Sequence, residues 1–217
     1  MSAFPTFPSP QPRPAVVAGS LGLPIAHEGG TFCHMTAVLD VPEIRNRVLR
    51  VSVADYRRHT EGQQTELLRG IVIEKMSRSP LHSYIADALR EILAAQIGPD
   101  LIALLERPLT TSDSEPEPDV MVVRGARSDF RTAHPTTAEL LIEVAMSSLE
   151  IDRVKALIYA EAGVKEYWIV CPEQKQVEVY RQPGAQGYAE RAVFAAPVVL
   201  GCEVLPGVRV DFGALFA

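Results

Sequence analysis

The chain has no long hydrophobic run. None of its apolar stretches approaches the roughly 18 residues needed to cross a bilayer, so no membrane passage is expected. Cysteine is scarce, with Cys33, Cys171 and Cys202 in 217 residues. These three show no CxxC spacing and no neighbouring ligand cluster, which argues against a zinc centre and a disulfide scaffold and for a reduced, cytoplasmic setting. The N-terminus lacks a basic segment followed by an apolar one, so a secretory leader is not expected. Positive charge is also short: Lys and Arg number 21 against 27 Asp and Glu, for a net charge of −6. That excludes a global basic field of the kind that draws proteins to nucleic acid, while leaving room for a local basic groove. There is no internal repeat.

What remains is ordinary for a globular chain, 47% apolar and 22% charged, and long enough for one domain with a real core. Residues 1–34 include the proline-rich stretch "FPTFPSPQPRPAVV". Because proline fixes φ and lacks a backbone donor, this extension is expected to be extended or disordered. Met35 reads as a second candidate start, and 35–217 as a single domain. A short helix capped by Ser52 is expected in "VSVADYRRHTE", where Ser52 and Asp55 have capping-box spacing. "TELLRGIVIEKM" reads as a hairpin turning near Gly70. "SPLHSYIADALREILAAQI" carries Ile85, Leu89, Ile92 and Leu93 on one helical stripe. Strands are expected at about 101–107, 119–124 and 139–145, a helix at about 150–162, and further strands in "KEYWIV" and "QVEVYRQ". The order predicts an α/β or α+β sheet domain, with extra β structure at both ends.

The stretch "SEPEPDVMVV" puts acids and prolines at the mouth of an apolar strand. Asp119, Met121 and Val123 fall on one face of that strand, and Leu141, Glu143 and Ala145 share one face of "LLIEVA". If the two strands are antiparallel neighbours, Asp119 and Glu143 meet at one sheet edge. Two carboxylates there repel unless a cation lies between them, the arrangement of a Mg²⁺ site. In the following helix, Asp152, Lys155 and Tyr159 share one face, while Ile151, Val154, Leu157 and Ile158 cover another. Lys155 therefore projects from a helix that begins just beyond Glu143, placed to steady a water nucleophile or charge on a phosphate.

A Pro-Asp, then a strand bearing Glu, then a lysine resembles the outline of the PD-(D/E)XK nucleases. More specifically, the chain is similar to the Uma-two family of restriction-endonuclease-like proteins. The matching segments are "TELLRGIVIEKMSRSPLHSYI", "EPDVMVV", "LLIEVAMSS", "DRVKALIYAEAGVKEYWIV", "VEVYRQ" and "VLPGVRVDFGALF", over roughly residues 50–217. The resemblance implies a restriction-endonuclease-like core, a mixed β-sheet flanked by helices with additional hairpins. It implies Asp119 and Glu143 as metal ligands, Glu66 as a third, and Lys155 as a displaced catalytic lysine. In the simple motif that lysine would stand at Ala145. His82 and Ser148 are the candidate substrate-binding residues. The chain departs from the family pattern at Met146-Ser147, where Ser-Pro is usual, and at Cys171, where Asp is usual.

The implied activity is hydrolysis of phosphodiester bonds in DNA with Mg²⁺ or Mn²⁺, in a homodimer. Two other readings stay open: a catalytically inactive nuclease-fold module for DNA binding or assembly, and a hydrolase of another phosphate ester. Plainer readings stand beside each residue. Asp119 after a proline is commonly a turn residue, Glu143 and Lys155 can form a structural salt bridge, and His82 can cap or pack. Tyr167 and Trp168 read as core and sheet-face residues. Glu115 and Glu117 read as a solvated acidic turn.

Overall fold

In a computed structural model, the described residues are 47–60 and 62–217. The proline-rich extension and the expected domain boundary at residue 35 lie outside them. The compact unit runs from Leu49 to Ala217. Among its described residues no helix is long and apolar enough to cross a membrane.

The order is α1 (Val53–His59), β1 (Thr65–Leu68), β2 (Ile71–Glu74), α2 (Pro80–Ala94), β3 (Leu101–Leu105), β4 (Val120–Arg124), a 3-10 turn (Arg127–Phe130), β5 (Leu140–Val144), α3 (Leu149–Glu161), β6 (Glu166–Cys171), β7 (Gln176–Gly184), β8 (Gly187–Ala195), β9 (Val199–Gly201), β10 (Arg209–Asp211) and α4 (Phe212–Leu215). Six strands form one mixed sheet in the order β3-β4-β5-β6-β7-β8. Only the β5–β6 pair is parallel, and α3 is its crossover, as a parallel connection requires. β1 with β2, and β9 with β10, form separate two-stranded ribbons. The expected fold class is the observed one.

The period-two reading of the strands holds. Val120, Val122, Leu140, Ile142 and Val144 pack with Ile85, Leu89 and Leu93 of α2 in one core. Met121, Val123, Leu141 and Ala145 pack with Ala156, Tyr159 and Tyr167 in a second core on the opposite face. The sheet is thus buried on both sides, which is why its central strands are nearly all apolar. Ser79 starts α2 by accepting from the backbone N–H of His82, with Pro80 in the first turn, where a missing N–H costs nothing.

α3 reverses the usual amphipathic order. Asp152, Lys155 and Tyr159 are its buried face, whereas Ile151, Val154 and Leu157 are 38%, 63% and 42% exposed; of the apolar stripe only Ile158 is buried. A helix laid by its polar face on an apolar sheet needs a polar destination there. Glu143 of β5 supplies it.

The acidic turn is corrected too. Glu115 is only 5% exposed. Its backbone bridges to Leu67 of β1 and its carboxylate accepts from Arg57 and Thr110. The segment is tied to the first ribbon, so the carboxylate is paired rather than solvated.

The ribbon of β1 and β2 matters because it carries Glu66. Arg69 and Gly70 turn it, with φ of 54° and 77°, the two positive values that a tight hairpin turn takes. Gly70 donates to the Asp113 carbonyl and its own carbonyl accepts from Val51, both at 2.8 Å. A Cβ at Gly70 would lie 2.7 Å from the Arg50 Cβ. Gly70→Ala is therefore expected to cost at least about 1–2 kcal/mol from the left-handed backbone alone, read as a lower urea midpoint. An unchanged midpoint would contradict this account of the turn.

Candidate active site

β4 and β5 are antiparallel, with Val120 opposite Ile142. One step further along that register sets Asp119 opposite Glu143. Both side chains are buried, at 6% and 3% exposure, and both line a cleft of about 340 Å³. Glu66, His82, Ser148, Asp152 and Lys155 line it as well. Every site residue expected from the sequence therefore comes to one place.

Lys155 is the centre of the arrangement. The crossover helix carries its ammonium down onto β5, where it lies 3.0 Å from Glu143 Oε1, 3.0 Å from Glu66 Oε2 and 3.5 Å from Asp152 Oδ1. Ala145, small and on the same face as Glu143, leaves room for a lysine arriving from the helix. Burial alone would push the Lys155 ammonium down, but Glu143, Glu66 and Asp152 outweigh it and hold it above the usual lysine value. Lys155 stays charged.

The carboxylates are in the opposite condition. Burial raises Glu143 well above the ordinary carboxylate range; Lys155 offsets part of this, and Asp152, Asp119 and Glu66 add to it. Burial also raises Asp152, against the pull of Lys155 and of the Ser148 hydroxyl, which donates to Asp152 Oδ2 at 2.6 Å. Three carboxylates share one ammonium and Asp119 lies beside them, so negative charge is in excess, and protons or a cation must balance it.

On Asp119 and Glu143 the protein's hydrogen bonds fall on one oxygen alone, whereas both oxygens of Glu66 and of Asp152 are engaged. Asp119 Oδ2 accepts from the Val144 backbone N–H at 2.7 Å and from His82 Nε2 at 3.1 Å. Glu143 Oε1 accepts from Lys155 and, at 2.7 Å, from the Tyr159 hydroxyl. Burial and then Glu143 hold Tyr159 well above the usual phenol value, so it remains a donor. Glu66 Oε1 accepts from the Glu117 backbone N–H at 2.8 Å. Among the described residues, Asp119 Oδ1 and Glu143 Oε2 accept no hydrogen bond. These all-oxygen donors suit a hard cation such as Mg²⁺, which takes one or two carboxylates and keeps several waters. The described residues hold no ready-made cluster of three ligating side chains.

His82 sits in the first turn of α2, where its backbone serves the cap and its side chain reaches Asp119. With Nε2–H donating, Nδ1 is a buried acceptor without a partner among the described residues. Sequence reasoning gave Asp152 and Tyr159 only a helix face, and the i, i+3, i+7 spacing was the signal that could have named them. It named Lys75 only as a substitute for Lys155, read Glu117 as part of a solvated turn and missed Arg78; all three line the cleft, where Lys75 and Arg78 bind Glu117 at 2.5 and 3.4 Å. Met146 and Ser147, one departure from the family pattern, also line it. Cys171, the other, is buried at the end of β6, where burial pushes its thiol up to about 11; the cleft does not include it.

Comparison with known proteins bears on the family and the fold. A family model described as "Putative restriction endonuclease", Uma2, matches residues 53–213. Among solved structures, the crystal structure of "a putative nuclease belonging to DUF820" from Anabaena variabilis superposes with a TM-score of 0.65 at 20% identity, covering 76% of this chain and 97% of that one. At that identity the likeness shows the fold. No curated protein matches the chain.

The raised carboxylates fix the sign of a pH effect. Because Glu143 and Asp152 take protons more readily folded than unfolded, their contribution to stability is fully present below about pH 4, their ordinary range. It is lost as pH rises through their higher folded values. In the presence of a chelator, stability should therefore fall as pH rises from the ordinary carboxylate range, by at most about 1.4 kcal/mol per pH unit for each proton involved. Glu143→Gln, neutral throughout, should flatten the slope in denaturant melts. An equal slope in both proteins would contradict this assignment of charge.

Proposed function

The chain belongs to the Uma2 family of restriction-endonuclease-like proteins, and from that premise we propose that its cleft hydrolyses phosphodiester bonds in DNA with Mg²⁺ or Mn²⁺. The observation that carries the reading is the buried Lys155 among Glu66, Glu143 and Asp152, beside the uncommitted oxygens of Asp119 and Glu143. A salt bridge serving architecture needs one carboxylate per ammonium, since each further buried charge costs several kcal/mol to desolvate. A cluster with excess negative charge, open to a cleft, fits a site that takes up a cation.

Asp119, Glu143 and Glu66 are the residues that would hold the ion, which supplies Lewis-acid neutralisation of charge on the scissile phosphate. The protein's own part is preorganisation. His82 and the Val144 N–H pin one oxygen of Asp119, and Tyr159 pins one oxygen of Glu143. Their free oxygens are thereby presented without rotamer loss at the moment of reaction. Hydrolysis adds water across a P–O ester bond, and the Lys155 ammonium orients that water or balances the charge gathering on the phosphoryl oxygens. Ser148, at the start of α3, positions Asp152 and lies where substrate enters. A homodimer, which the family resemblance implies, would offer two such clefts to the two strands of a duplex.

Cleavage of plasmid DNA with Mg²⁺ or Mn²⁺ tests this. Lys155→Ala is expected to lower the rate at least about 10²-fold, the usual effect of removing one preorganised electrostatic group. Mg²⁺ should raise the melting temperature of wild type through binding to the folded state, and should do so far less in Asp119→Asn. Cleavage that persists in Lys155→Ala would overturn the lysine's role. Wild type that neither cleaves DNA nor responds to either ion would overturn the function.

A further inference from the structure

A second cleft, of about 300 Å³, lies along β3 and is lined by Arg90 of α2, by Arg107 and Arg127, and by Phe130 and His134. Among the described residues β3 is the outer strand of the sheet, so half of its backbone N–H groups have no strand partner there. Glu106 donates its N–H to the Asp119 carbonyl at 2.9 Å. By the alternation of an antiparallel ladder, the N–H groups of Ala103 and Leu105 then turn toward the open edge. Both residues line this cleft.

Its arginines differ from the four that brace the interior of the domain, although Arg50, Arg131 and Arg209 also form no ion pair among the described residues. Arg57, Arg124, Arg153 and Arg181 are each tied to a buried carboxylate. Arg107 and Arg127 form no ion pair among the described residues, and Arg90 meets only its exposed neighbour Glu91 at 3.3 Å. In a chain of net charge −6, uncompensated guanidinium groups have gathered beside free backbone donors. Burial, with Arg57 and Arg107 nearby and against the pull of Glu115, holds His134 below the usual imidazole value. The positive charge of the cleft is therefore that of the arginines.

The position is as informative as the charge. Arg107 follows Glu106, whose carboxylate accepts from Arg78 of the first cleft at 2.7 Å and whose backbone is bonded to Asp119. The two clefts flank the same end of β3. We infer that the arginine-lined cleft binds the phosphodiester backbone of a nucleic acid whose neighbouring segment lies at Asp119 and Glu143. Guanidinium groups and backbone N–H groups are the usual partners of phosphate oxygens. That the anion belongs to nucleic acid rests on the nuclease reading of the first cleft.

The test is binding of the full chain to a fluorescein-labelled duplex oligonucleotide, followed by anisotropy in EDTA over a range of salt concentrations, so that no cleavage is needed. The Arg107→Ala/Arg127→Ala double variant is expected to bind at least tenfold more weakly at low salt. Its slope of log affinity against log salt should be shallower by roughly 2, about 0.9 for each phosphate no longer neutralised. The Arg107→Lys/Arg127→Lys variant, which keeps the charge, should retain most of the slope. Both side chains are exposed, so the melting temperature of each variant should match wild type. An unchanged slope in the alanine variant overturns the inference even if wild type cleaves DNA, and so does the absence of any binding by wild type. Arginine-dependent binding by a protein that never cleaves with Mg²⁺ or Mn²⁺ upholds this cleft and overturns the nuclease reading of the other.

Discussion

A single ammonium holds the cleft end of this molecule together. Lys155 is 4% exposed, and leaving it buried without partners would cost several kcal/mol. Its three carboxylate neighbours come from parts of the chain far apart: Glu66 from the first ribbon, Glu143 from the sheet and Asp152 from its own helix. The requirement to surround this charge explains several features that look unrelated. It explains why α3 turns a polar face inward and leaves Val154 63% exposed. It explains why the short ribbon of β1 and β2, which belongs to no larger sheet among the described residues, is docked onto the domain through Glu115, Asp113 and Glu117. It also explains why Ala145 is small.

The same arrangement is unbalanced in charge, not in packing. Hydrogen bonds from Tyr159, Val144, His82 and the Glu117 backbone each fix one carboxylate oxygen. These bonds orient the carboxylates even though their sum of charge is unfavourable. The apolar layers on either side of the sheet supply the stability that this end does not. The cores around Trp168 and Phe212 on one face, and around the Tyr159–Tyr167 pair on the other, surround strands with almost no exposed surface.

Much of this was legible in the sequence. Period-two strands gave the faces of Asp119 and Glu143, and the i, i+3, i+7 spacing placed Asp152, Lys155 and Tyr159 together on α3. The order of elements gave the fold class. What the sequence could not show was how distant segments meet. Glu115 reads locally as a solvated acid after a serine, and only the approach of Arg57 across 58 residues makes its burial tolerable. The outward apolar stripe of α3 contradicts the rule that apolar residues face the core, because a polar cluster outcompeted them for the inner face. No sequence signal singles out Arg107 and Arg127, which line one cleft beside the turn at Arg127–Phe130.

A crystal structure of the protein soaked in Mn²⁺, with the ion located by its anomalous scattering, tests the central claim most directly. The account predicts one strong peak bound by oxygens of Asp119 and Glu143, at the metal–oxygen distances of about 2.1–2.5 Å expected for such ions, with Lys155 still seated beside Glu143. A protein that takes up no Mn²⁺ there, with Lys155 closing the carboxylate cluster as before, would show that the cluster is architecture and not a metal-dependent active site.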